Sequence, residues 1–146
     1  MQKLQRALDA AAGGLLFLLL LVGVVQVVGR YTGLVFVPWT EEVARLLFVW
    51  VVWIGAAAAL LRGGHIRFDF LIVRLPAPAR RVLGAGVMLG VAGFLLLIVV
   101  QGYEIVRSTT STFITLDLSV KYTYLSAVVG AAVMLVGLLG RLWGGR

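Results

Sequence analysis

Charge vanishes from this chain in four long stretches. Residues 10–29, 46–61, 82–103 and 122–140 contain no Asp, Glu, Lys or Arg, and the runs measure 20, 16, 22 and 19 residues. A helix rises about 1.5 Å per residue, so about 20 apolar residues cross the roughly 30 Å hydrocarbon layer of a bilayer. The second run is short. It lengthens to residue 43 once the long side chain of Arg45 lifts its guanidinium to the headgroups. No proline falls inside any run. The pattern predicts an all-α integral membrane protein with spans at about 10–29, 43–61, 82–103 and 122–140, forming one domain over residues 1–146.

Composition agrees with that prediction. The chain is 62% hydrophobic and 13% charged, with a mean hydropathy of +1.07. A soluble domain of this length would need far more charge to cover its outside. The net charge of +7 invites a nucleic-acid reading, but the basic residues sit in short connections between spans and form no extended basic face. They read as topology charges meeting anionic membrane lipid, with no nucleic-acid partner. The absence of cysteine excludes disulfides, thiolate metal sites and cysteine nucleophiles.

The same charges predict an orientation. Lys3, Arg6, Arg62, Arg67, Arg74, Arg80, Arg81, Arg141 and Arg146 lie on one side, against Arg30, Arg45, Arg107 and Lys121 on the other. The positive-inside rule places the first group, and both termini, in the cytoplasm. The first span is longer than the 7–15 residue apolar core of a secretory signal, which predicts an uncleaved anchor.

Candidate chemistry is confined to the connections. Before the second span stands Trp39-Thr40-Glu41-Glu42-Val43-Ala44-Arg45. Thr40 is a good helix N-cap, the two glutamates complement the macrodipole in the first turn, and Arg45 follows them at i+4 and i+3. The cluster reads equally as a helix start that neutralises its own arginine and as a carboxylate pair facing a basic patch on a partner. After the second span comes His65-Ile66-Arg67-Phe68-Asp69. Helical spacing would bring Phe68, Leu71, Ile72 and Leu75 onto one face of a short amphipathic segment in the interface plane, stopped by Pro76 and Pro78. His65 and Asp69 are i, i+4 neighbours suited to a local pair. One histidine and one aspartate are two ligands short of a metal site, and no cofactor is implied.

Within the spans, polar character is limited to uncharged residues such as Gln26 and Gln101 near the outer ends. Carriers that hold ions or acids place ionisable residues or broken helices near the midplane, and neither occurs here. Glu104 and Arg107, at the outer end of the third span, read as a local pair. Small residues are abundant instead: Gly55 to Ala59, Gly86 and Gly90, and Gly130 to Ala132. In lipid such residues let helices approach closely, within one bundle or against another protein.

Taken together, Gly29-Arg30-Tyr31, Trp39-Thr40-Glu41-Glu42-Val43-Ala44-Arg45, Gly55, His65-Ile66-Arg67-Phe68-Asp69, Leu75-Pro76 and Arg80-Arg81 resemble the small membrane subunit of TRAP transporters, the tripartite ATP-independent periplasmic transporters. The likeness covers nearly the whole chain. It implies a non-enzymatic scaffold in the bacterial inner membrane, partnered by a large membrane subunit that moves a small organic acid, usually with sodium, and by a periplasmic substrate-binding protein. It also implies that Trp39, Glu41, Glu42 and Arg45 stabilise the periplasmic rim, that Arg30 belongs to the same partner-interface or structural motif, and that His65 and Asp69 fix the cytoplasmic turn. The competing expectation is an autonomous homodimeric, proton-coupled exporter that uses Glu104 or the Glu41/Glu42 pair. A membrane-embedded enzyme would need a clustered acid–base constellation, which the residues do not supply.

Overall fold

A computed structural model describes residues 2–32, 38–62 and 77–144. They form four helices: α1 (Gln2–Thr32), α2 (Trp39–Leu61), α3 (Ala77–Ser108) and α4 (Lys121–Gly144). Each is long and apolar enough to cross a membrane, over Lys3–Thr32, Trp39–Leu61, Val82–Ser108 and Lys121–Gly140. The helices outrun the charge-free stretches because a flanking charge does not break a backbone hydrogen-bond ladder. At 31 residues, α1 is about 46 Å long, so its polar first turns extend beyond the hydrocarbon. The amphipathic segment expected around residues 66–75 lies outside the described residues.

The packing order differs from the chain order. α1 packs on α2, α2 on α4, and α4 on α3, giving an open row α1–α2–α4–α3. A third of the α4 span is buried, whereas none of the α1 span is. The core lies at the α2–α4–α3 seam, where Ala57, Leu95, Ala131 and Met134 are buried with Trp53 against them. Gly130 is what lets α4 reach α2. A Cβ there would stand 2.7 Å from Trp53 Cβ and 3.1 Å from the Trp53 carbonyl oxygen. The close backbone approach expected of small residues in lipid is therefore realised at this crossing.

One irregular connection is tightly built. After α3, the hydroxyl and amide of Thr109 both donate to the Ile105 carbonyl, at 2.6 and 2.9 Å, ending the helix. Residues 111–120 then fold back as a small hairpin. Thr112 and Ser119 form an antiparallel bridge, the Phe113 amide donates to the Leu118 carbonyl at 2.7 Å, and the Val120 amide donates to the Ser111 carbonyl at 3.0 Å. Asp117 takes the left-handed conformation at φ 50°, one that aspartate tolerates better than most residues. Phe113 is buried, whereas Ile114 at the tip is 96% exposed.

Candidate functional site

The rim formed by the start of α2 and the 111–120 hairpin collects the sequence-selected residues that can be placed. Pro38 holds φ −63° and ψ −25°, already helical, so α2 begins at Trp39. Thr40, expected as the N-cap, therefore lies inside the first turn with its side chain fully buried, and no side chain caps the helix through Pro38. A proline ring presets the helical φ, which moves the helix start ahead of the threonine.

Glu41 is exposed, whereas Glu42 is half-buried and turned toward the hairpin. One carboxylate oxygen of Glu42 accepts from the Ile114 amide at 3.0 Å and the Thr115 amide at 3.2 Å. The other accepts from Thr115 at 3.1 Å and Leu116 at 3.1 Å. Three successive backbone N–H groups thus converge on one anion, a nest of the kind that binds anions elsewhere. Bonds of this type to an ionised acceptor are roughly twice as strong as neutral ones. Glu42 pins the tip of the hairpin to the first turn of α2 and satisfies amides that the turn leaves unpaired.

The helix-local pairing expected for this cluster does not form. Among the described residues the one ion pair joins Arg62 to Asp9, so Arg45 stands exposed without a carboxylate partner. Glu42 is engaged by the hairpin instead. Glu104 and Arg107 are likewise exposed and unpaired, consistent with the small value of an ion pair in water. Arg30 lies exposed in the last turn of α1, where a cation complements the macrodipole. Trp39 is 39% exposed at the start of α2, in keeping with an indole at a membrane interface. His65 and Asp69 lie outside the described residues.

The opposite rim carries an arrangement that spacing did not reveal. Arg62, just past α2, places Nη2 at 2.5 Å and Nε at 3.1 Å from Asp9 Oδ1 near the start of α1. The two residues border charge-free runs at the same end of the row, and that shared border is the signal that could have joined them. Beneath the pair, Ala12, Gly13, Leu16, Val51, Gly55, Ala58 and Ala59 line an open groove of about 460 Å³ between α1 and α2. Among the described residues no three metal-ligating side chains come together.

Residues 3–146 match the family model described as tripartite ATP-independent periplasmic transporters, DctQ component. The chain is similar to the sialic acid TRAP transporter small permease protein SiaQ of Vibrio cholerae, at 32% identity over 106 residues, covering 72% of this chain and 61% of that protein. It is also similar to the C4-dicarboxylate TRAP transporter small permease protein DctQ of Rhodobacter capsulatus, at 35% identity over 104 residues, covering 66% of this chain and 44% of the relative. The protein of the same description from Pseudomonas aeruginosa is 30% identical over 70 residues, or 48% of this chain and 33% of that one. The matches thus span less than two thirds of each relative's length.

Proposed function

Because the chain belongs to the DctQ component family of tripartite ATP-independent periplasmic transporters, we propose that it is the small scaffold subunit that holds a large membrane subunit in place. The large subunit carries a small organic acid, coupled to sodium and delivered by a periplasmic binding protein. The family is a transport component and not a class of enzyme, and its four apolar helices make it a multi-pass membrane protein. On the proposed topology both termini are cytoplasmic, which the distribution of loop charges supports, and the Glu42 hairpin lies on the periplasmic rim.

The observation that carries the scaffold reading is the direction of the α3 glycines. At about 100° per residue, Gly86, Gly90 and Gly93 fall within roughly 60° of one another, nearly opposite Leu95 and Gly102, which face α4. A Cβ at Gly86, Gly90 or Gly93 meets no atom within 4 Å, whereas one at Gly102 would stand 2.8 Å from Val128 Cγ2. Each glycine weakens a helix by roughly 0.8–1 kcal/mol relative to alanine. Three on one outward face make sense where another helix approaches closely. Trp39, Glu41 and Arg45, left free on the outer rim, are the residues available to a binding protein.

Solubilising the tagged chain from its native host in mild detergent tests this reading. A stoichiometric, larger polytopic protein should co-purify, and its loss on Gly86→Leu with Gly90→Leu would place it on the α3 face. A homo-oligomer alone, under conditions that preserve other membrane complexes, would overturn the scaffold role.

A further inference from the structure

The groove between α1 and α2 has a charged mouth and an apolar floor. Asp9 and Arg62 border the charge-free runs 10–29 and 46–61, so the mouth lies at the membrane boundary and the floor extends into the hydrocarbon. The floor is low on both helices, because a Cβ at Gly13 or Gly55 would meet no atom within 4 Å. Leu16 and Val51 line it farthest along the chain from Asp9 and Arg62. Apolar walls of this kind gain dispersion contacts from an apolar group laid between them.

The mouth specifies the chemistry of that occupant. Asp9 engages Nε and Nη2 of Arg62 through one oxygen. The five donors of a guanidinium are not exhausted by that contact, and the Arg62 side chain is 57% exposed. Arg6 precedes Asp9 by three residues and Gly13 by seven, so it lies on the same stripe of α1 one turn nearer the aqueous phase. Lys3 follows in the next turn outward. Among the described residues, three cations therefore stand against one carboxylate above an apolar slot. Its volume of about 460 Å³ lies in the range of small-molecule pockets, roughly 300–1,000 Å³.

We propose that this groove is a binding site for an anionic phospholipid, with the phosphate at Arg62 and Arg6 and one acyl chain laid along Gly13, Gly55 and Ala59. A basic recess between helices at the headgroup level is the setting in which anionic lipid headgroups bind. The site requires only that α1 and α2 span the membrane, so it stands apart from the scaffold role.

The test uses the full chain, with its large subunit where one co-purifies, after delipidation in detergent. Phosphatidylglycerol or phosphatidylcholine is added back, and retained lipid is read by native mass spectrometry alongside the thermal unfolding midpoint. Phosphatidylglycerol should be retained and raise the midpoint, while phosphatidylcholine should do neither. Gly13→Leu with Gly55→Leu fills the slot from two positions where a Cβ meets no atom within 4 Å, and should abolish retention while leaving the lipid-free midpoint unchanged or raised. Arg6→Gln, which leaves the Asp9–Arg62 pair intact, should weaken retention roughly fivefold. Equal retention of both lipids, or undiminished retention in the filled variant, would overturn the proposal. So would loss of the large subunit from the filled variant with lipid retention unchanged, since the groove would then hold a protein helix.

Discussion

Helices α3 and α4 are both rich in glycine and both long enough to span, yet apart from Gly102, which meets Val128, the glycines of α3 do not face the seam as those of α4 do. On α4, Gly130 and Gly137 point into the chain's own seam, against Trp53 and Leu61. On α3, Gly86, Gly90 and Gly93 point away from every packed neighbour. Small residues in a span thus record close approach without recording to what. The distinction emerges only when the row order α1–α2–α4–α3 shows which faces are already taken.

The contrast is easiest to break at the seam. Gly130→Leu drives a side chain into the Trp53 backbone, and overpacking of this kind costs roughly 1–3 kcal/mol, with more expected where a carbonyl blocks relaxation. The detergent-solubilised chain should melt at a clearly lower temperature, and an unchanged midpoint would mean that the seam is not this tight. The same substitution on the other helix sharpens the comparison. Gly90→Leu should leave the isolated chain at least as stable, because leucine is the better helix former by up to about 1 kcal/mol, yet it should reduce recovery of the large subunit in a pull-down.

Smaller effects are expected at the outer rim. Glu42→Gln removes the charge and one of the two accepting oxygens, at a cost of about 1 kcal/mol. Hydrogen exchange should quicken at the amides of Ile114, Thr115 and Leu116, and transport by the complete system should fall modestly. Glu41→Gln makes the control, since Glu41 has no comparable contact. Equal exchange rates in the two variants would remove the clamp from the account. The smallest change belongs to Arg30→Gln, which loses a macrodipole contact of about 0.3–1 kcal/mol and should shift the unfolding midpoint only slightly.

Four apolar runs without charge or proline made the spans legible, and the structure places a helix over each. Helix ends were less legible, since Lys3, Arg6 and Asp9 limit hydropathy without limiting helicity. The Glu41–Glu42–Arg45 spacing was read correctly as a helix start, but the pairing it suggested is absent. Glu42 has a better alternative 72 to 74 residues away, and local periodicity carries no information at that separation. The N-cap position expected at Thr40 falls at Pro38 instead. Asp9 and Arg62, 53 residues apart, were visible as flanking charges but not as partners.

The order of the row also bears on how the protein is made. α1 and α2 are neighbours in sequence and in space, so they can close on each other as soon as both have entered the membrane. α3 enters next and finds no surface of its own to rest on, because the place beside α2 is reserved for α4. The second half of the molecule therefore assembles last and all at once, when α4 slips between two helices already in the bilayer. Until then α3 is a solitary span with its glycine face open, and a released chain truncated before residue 121 would leave it so.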